Sequence, residues 1–190
     1  MATIFDTVTK VFRWIDDTYR LPQVQDPNRV QIEFVMQSQR LDHWCWAAVA
    51  SSVSYHLDEF SPMTQKEIAA VAFDFDIDED LDDAWDQDYR VDHALNIVRC
   101  LRSTHPIPVS FRDVLRQLEQ DRPVVAHIDW GDNTAHAIAI TGCWIDRNGV
   151  NYLRADDPLG AFDAKPMKAV MEDYGELGGK WRLSFFVAAP

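Results

Sequence analysis

The residues with the most chemical potential lie together in Gln39-Arg40-Leu41-Asp42-His43-Trp44-Cys45-Trp46-Ala47-Ala48. Cys45 opens a run, Ala47-Ala48-Val49-Ala50-Ser51-Ser52-Val53, that favours helix. Trp46, Val49, Ala50, Val53 and Leu57 recur at helical spacing, so one stripe of that helix should be buried. Cys45 then falls in the first turn, where unpaired backbone N–H groups and the positive dipole end favour a thiolate. Gln39, six positions earlier, is far enough back for its amide to fold over the sulfur and donate to an oxyanion. That is the layout of a cysteine nucleophile. The competing reading is a buried, inert cysteine in a tryptophan-rich helix start.

A cysteine nucleophile needs a base, and the base needs an orienting group. The six histidines are His43, His56, His93, His105, His127 and His136. His43 is too near Cys45 in sequence to turn back on it, and His56 is about three turns along the same helix. His93 and His105 belong to helix or loop surface. His127 lies within the apolar strand Val124-Val125-Ala126-His127-Ile128, whereas His136 begins a strand after the turn Gly131-Asp132-Asn133. His136 is the better candidate. The next strand ends at Asp156-Asp157-Pro158, so a hairpin brings an acid beside it that can fix the imidazole tautomer. Alternation puts Asp157 on the face of Leu153 and Ala155, while Asp156 shares a solvated face with Arg154.

The elements that must position these groups follow in order. Phe5, Val8, Val11, Phe12, Ile15 and Tyr19 form the stripe of an N-terminal amphipathic helix within an arm or removable pro-segment, residues 1–30. Residues 31–120 read as a helical lobe, beginning with a short strand, Gln31 to Met36. Thr64-Gln65-Lys66-Glu67 has capping-box spacing for a helix through Ala72. Asp74 to Asp88 holds nine acids and no base. A calcium-loop frame fails there, because the glycine position holds Glu79 and the closing carboxylate position holds Trp85. The stretch reads as a solvated loop. A helix is expected over Asp92 to Arg102, a break at Thr104 to Pro108, and a helix opened by Ser110 and Asp113. Residues 121–190 then read as an antiparallel β lobe: Pro123 to Trp130, His136 to Ile145, an Asn148-Gly149 turn, Val150 to Asp156, and Trp181 to Val187. Helices first and an antiparallel sheet after make an α+β protein.

Composition narrows the function. A net charge of -13 argues against nucleic acid or an anionic membrane surface as partner. No apolar run approaches the roughly 18 residues of a membrane span, and no cleavable signal peptide is apparent. Synthesis in a cytoplasm is expected, with export by a machine that needs no such signal left open. Cys45, Cys100 and Cys143 make a poor disulfide framework. His43-x-Cys45 lacks a second ligand pair, so no metal is expected.

Gln39…His43-Trp44-Cys45-Trp46-Ala47-Ala48, Thr64-Gln65, Arg122-Pro123-Val124-Val125-Ala126, His136-Ala137 and Asp157-Pro158 together resemble the papain-like cysteine proteases. They are most similar to the bacterial avirulence-effector group of that clan. The resemblance implies a two-lobe fold, with the active-site cleft between a helical N-terminal lobe and an antiparallel β C-terminal lobe. It implies Cys45 as nucleophile, His136 as base, Asp157 as orienting group and Gln39 as oxyanion donor. It also implies a protein or peptide substrate and no cofactor. The sequence departs from the group where Asn133-Thr134-Ala135 replaces a glycine-rich approach to the histidine. Other acyl-transfer enzymes (a deubiquitinase, a peptidoglycan amidase, a transglutaminase) and a non-catalytic binding module are the alternatives.

Overall fold

Helix α1 (Cys45–Leu57) runs through the middle of the protein, and its sequence explains why it can. Alanines and serines dominate its length, so neighbouring elements approach closely on every side. Every residue from Trp46 to Ser54 is buried, well beyond the single stripe that the periodicity predicts. The serine hydroxyls survive burial because each is bonded: Ser52 donates to the Ala48 carbonyl at 2.7 Å, Ser51 to that of Met63 at 2.9 Å, and Ser54 accepts from the Met63 N–H. The computed structural model describes residues 29–132, 134–160 and 162–190. The expected N-terminal amphipathic helix lies outside the described residues.

Helix α2 (Gln65–Phe73) opens with the expected capping box, in which Thr64 accepts from the Glu67 N–H and Glu67 accepts from the Thr64 N–H. Helix α3 (Val91–Ile97) is shorter than the sequence suggests. Arg99 takes a left-handed φ of 59°, and the Cys100 and Arg99 N–H groups bond back to the Leu95 and Asn96 carbonyls. This closure ends the helix and reverses the chain. The expected helix to Arg102 is thereby corrected, because β2 (Leu101–His105) begins where that helix should have continued. The expected strand Gln31 to Met36 is also displaced, to β1 (Arg29–Gln31). Helix α4 (Phe111–Leu118) starts at Ser110, whose side chain accepts from the Asp113 N–H.

Strands β3 (Val124–Asp129), β4 (Ala135–Ile145) and β5 (Asn151–Asp156) follow as a meander. Two elements then appear that periodicity does not reveal, β6 (Phe162–Pro166) and helix α5 (Met167–Glu172), before β7 (Lys180–Val187). The antiparallel sheet has the order β2-β7-β3-β4-β5-β6, with β1 pairing the far half of β4. Strand β4 is buried from His136 to Cys143. It contacts α1 and α4, and this coverage explains an apolar run in place of alternation. Helices packed beside a mostly antiparallel sheet give the α+β architecture of a papain-like fold. No helix among the described residues is long and apolar enough to cross a membrane.

Candidate active site

Cys45 is the first residue of α1 and is partly exposed, whereas Cys100 and Cys143 are buried. Burial pushes the Cys100 thiol up to about 11 and the Cys143 thiol to about 12. The loop before Cys45 is gripped from the acidic stretch. The Asp86 carboxylate accepts from the His43 N–H at 2.8 Å and lies 3.1 Å from His43 Nδ1. The Trp44 indole donates to the Trp85 carbonyl at 2.7 Å, and the Trp46 indole donates to that of Gln87 at 3.0 Å. Trp85 is only 2% exposed, packed against Phe75 and Trp44. The end of the acidic run is therefore a strap over the cysteine loop, and the expectation of a wholly solvated loop is corrected.

His136 enters from the facing strand β4, next to the β3 residue Ile128. Its Nε2 lies 2.8 Å from Asp157 Oδ1, which leaves Nδ1 for Cys45. Burial alone would hold the imidazole neutral, but hydrogen bonds with Asp157 and with Cys45, and their charges, outweigh it and raise His136 to about 9. Burial favours the neutral form of Asp157 too, which here means pushing its pKa up. Its bonds from His136, the Leu159 N–H and the Tyr174 hydroxyl more than compensate and hold it below the ordinary carboxylate range. The Trp130 ring stacks beside the imidazole, 6.3 Å between centroids at 28°.

Asp156 points elsewhere. It accepts from the Thr141 hydroxyl at 2.6 Å and from Arg154 at 3.0 Å. It is 4% exposed, so the solvated pairing expected for it is in fact buried. The β4–β5 register shifts between Ile140 and Gly142, which accommodates Thr141 opposite that carboxylate.

Gln39 reaches the same place. It lines a recess of about 230 Å³ with His43, Cys45, Trp130, His136 and Leu159. Its Nε2 donates to the Leu41 carbonyl at 3.0 Å and to that of Asp42 at 2.5 Å, while its Oε1 is buried without a partner. The backbone N–H of Gln39 donates to the Pro158 carbonyl at 3.0 Å, tying the cysteine loop to the Asp157 turn. A larger recess of about 490 Å³ opens on the other side, lined by Trp46, Tyr89, Val91, His127, Leu183 and Phe185 among others. Cys45, Asp88, Ala135 and His136 border both.

The other histidines are accounted for. His127 faces the larger recess, and burial lowers its pKa. His56 bonds the Asp121 carbonyl at 2.9 Å, and His105 the Ser103 hydroxyl at 3.0 Å. His93 is exposed. Trp44 and Trp46 are core residues, at 0% and 1% exposure, although the Trp46 indole also forms part of the larger recess. Sequence reasoning missed Tyr174, Trp130 and the strap residues Trp85 and Asp86. Each sits outside any motif, so only the folded arrangement reveals it. Among the described residues, no three His, Cys, Asp or Glu side chains come together in a way that could hold a metal ion.

No curated protein matches this chain significantly. A family model described as papain-like cysteine protease AvrRpt2 does match, over residues 25–174. That span holds the cysteine at its helix start, the histidine on the opposing strand and the acid behind it. The chain therefore belongs to the AvrRpt2 family of papain-like cysteine proteases.

Proposed function

We propose that Cys45, His136 and Asp157 are the triad of an endopeptidase that cuts peptide bonds through an acyl-enzyme. The observation that carries this reading is the His136 Nε2–Asp157 Oδ1 contact of 2.8 Å, which leaves the other ring nitrogen for Cys45. In the first step the Cys45 thiolate attacks the substrate carbonyl carbon, and the carbonyl electrons move onto oxygen. The Cys45 backbone N–H, at the free end of α1, and the Gln39 amide stabilise that oxyanion. As the oxyanion collapses, the C–N bond breaks and His136 gives its Nδ1 proton to the leaving amine. A thioester remains on Cys45. Neutral His136 then takes a proton from water, the hydroxide attacks the thioester carbonyl, and the thiolate departs with the acid product released.

Asp157 keeps the imidazole in one tautomer and stabilises its cationic form throughout. Gln39 must turn to serve. Its amide now donates to the carbonyls of its own loop, and an unpaired buried oxygen costs about 1–3 kcal/mol. The present rotamer is thus cheap to abandon when an oxyanion offers a better acceptor. The partner is a protein or peptide lying in the two recesses. Membership of this family also supports export as an effector.

The test is to incubate the purified protein with a proteome digest and with itself, and to map new N-termini by mass spectrometry. New termini from the wild type and none from Cys45→Ala are expected. Equal cleavage by both proteins, or none by either, would overturn the assignment.

A further inference from the structure

We propose that Tyr174 is a positioning residue of this site, whose hydroxyl holds the Asp157 carboxylate in the orientation that keeps His136 turned toward Cys45. The proposal rests on the triad reading above and adds a residue to it. Tyr174 follows α5, outside every motif in the sequence, and is 5% exposed. Its hydroxyl donates to Asp157 Oδ2 at 2.8 Å, while Oδ1 takes His136 Nε2 and the Leu159 N–H, each at 2.8 Å. A carboxylate held at one oxygen can still rotate about its Cβ–Cγ bond and carry the imidazole with it. Held at both oxygens, it cannot.

Tyr174 is itself fixed. Its backbone N–H and carbonyl exchange hydrogen bonds with Gly179, both at 2.8 Å, closing a small hairpin. Its ring lies 6.3 Å from that of Trp130, which in turn stacks beside His136. The hydroxyl is thus aimed by a rigid element, a geometry that a mere space-filling ring does not require. Tyr174 does not line either of the two recesses described beside Cys45. Its hydroxyl bears on Asp157, so turnover should respond where substrate binding does not. A donor to Oδ2 also favours the charged carboxylate, in line with the depressed Asp157 pKa.

Tyr174→Phe keeps the ring and removes the hydroxyl, and the full chain is compared with wild type in two ways. The first is kinetics on a peptide recovered from the cleavage mapping. Loss of one bond to a charged group predicts a fall in kcat of roughly ten-fold, with KM within two-fold. The second is the Asp157 side-chain carbon followed by NMR against pH, which needs no turnover. Its titration should move to higher pH in the variant. An unchanged titration, a kcat within two-fold of wild type, or a loss confined to KM would overturn the proposal. A wild type that cuts nothing would instead refute the triad reading, and the carboxyl titration would then judge the role of Tyr174 alone.

Discussion

Two adjacent aspartates with the same chemistry do different jobs, and substitution separates them. Asp157→Asn should lower kcat by roughly two orders of magnitude or more, as loss of the orienting acid does in related triads. Asp156→Asn should leave the folded enzyme's turnover nearly intact but destabilise it, because Asp156 is buried with Thr141 and Arg154. Turnover and thermal unfolding, measured on both variants, would expose a reversed assignment. Cys45 should be the thiol that iodoacetamide labels first. Cys100 and Cys143 are buried, with pKa values of about 11 and about 12, so labelling of either at a comparable rate contradicts the nucleophile assignment. The raised pKa of His136 carries a pH signature with a definite sign. Its folded value of about 9 exceeds the unfolded value of 6.5, so its stabilisation is complete below about 6.5 and lost as pH rises through about 9. The melting-temperature gap between wild type and His136→Gln should shrink across that window. Since Cys45 helps to raise the imidazole, Cys45→Ala should lower the His136 pKa seen by NMR.

The hairpin from Tyr174 to Gly179 serves the site by leaving space as well as by bonding. A Cβ on Gly179 would lie 2.5 Å from Trp130 Cζ3 and 2.5 Å from Ile128 Cγ2. Gly179→Ala should therefore displace the indole from beside His136, costing about 1–3 kcal/mol as overpacking does. Urea unfolding together with tryptophan fluorescence checks both effects, and unchanged stability and emission would contradict them. None of this was legible in the sequence. What was legible followed from local rules: the α1 start at Cys45, the capping box at Thr64, and the three alternating or apolar strands that carry His136 and end just before Asp157. The bulge in β4 lies between the pairs Ile140–Ala155 and Gly142–Arg154, short of the end of β5, so alternation still sends the Asp156 and Asp157 carboxylates to different partners. The helix over Asp92 to Arg102 was misread because Leu101 continues an apolar spacing that the left-handed turn at Arg99 cuts off. Strand β2 depends on its partner β7, more than seventy residues away in sequence. Tyr174 and Trp85 were invisible for the same reason, since long-range contacts leave no periodicity.

On the scale of the molecule, charge and connectivity set how substrate arrives. Asp42, Asp86, Asp88 and Asp92 lie on the helical side of the cleft in a protein of net charge -13. Such a field draws cationic peptides and repels anionic ones. For a cut peptide flanked by lysines rather than glutamates, kcat/KM should be several-fold higher at low salt, and raising ionic strength should erase most of the difference. Equal rates at low salt would remove electrostatic steering from the account. Connectivity matters differently. Strand β1 pairs with β4, α1 packs on β4, and the Gln39 N–H is bonded to the Pro158 carbonyl. The parts of the chain before and after the stretch Asp76 to Ala84, which is exposed except at the half-buried Leu81, are thus laced together in space. A single backbone cut in that stretch would sever the sequence without severing the fold. Two separately expressed pieces divided there should reassemble into a working enzyme, which makes this protease a natural candidate for a split reporter whose output is its own cleavage.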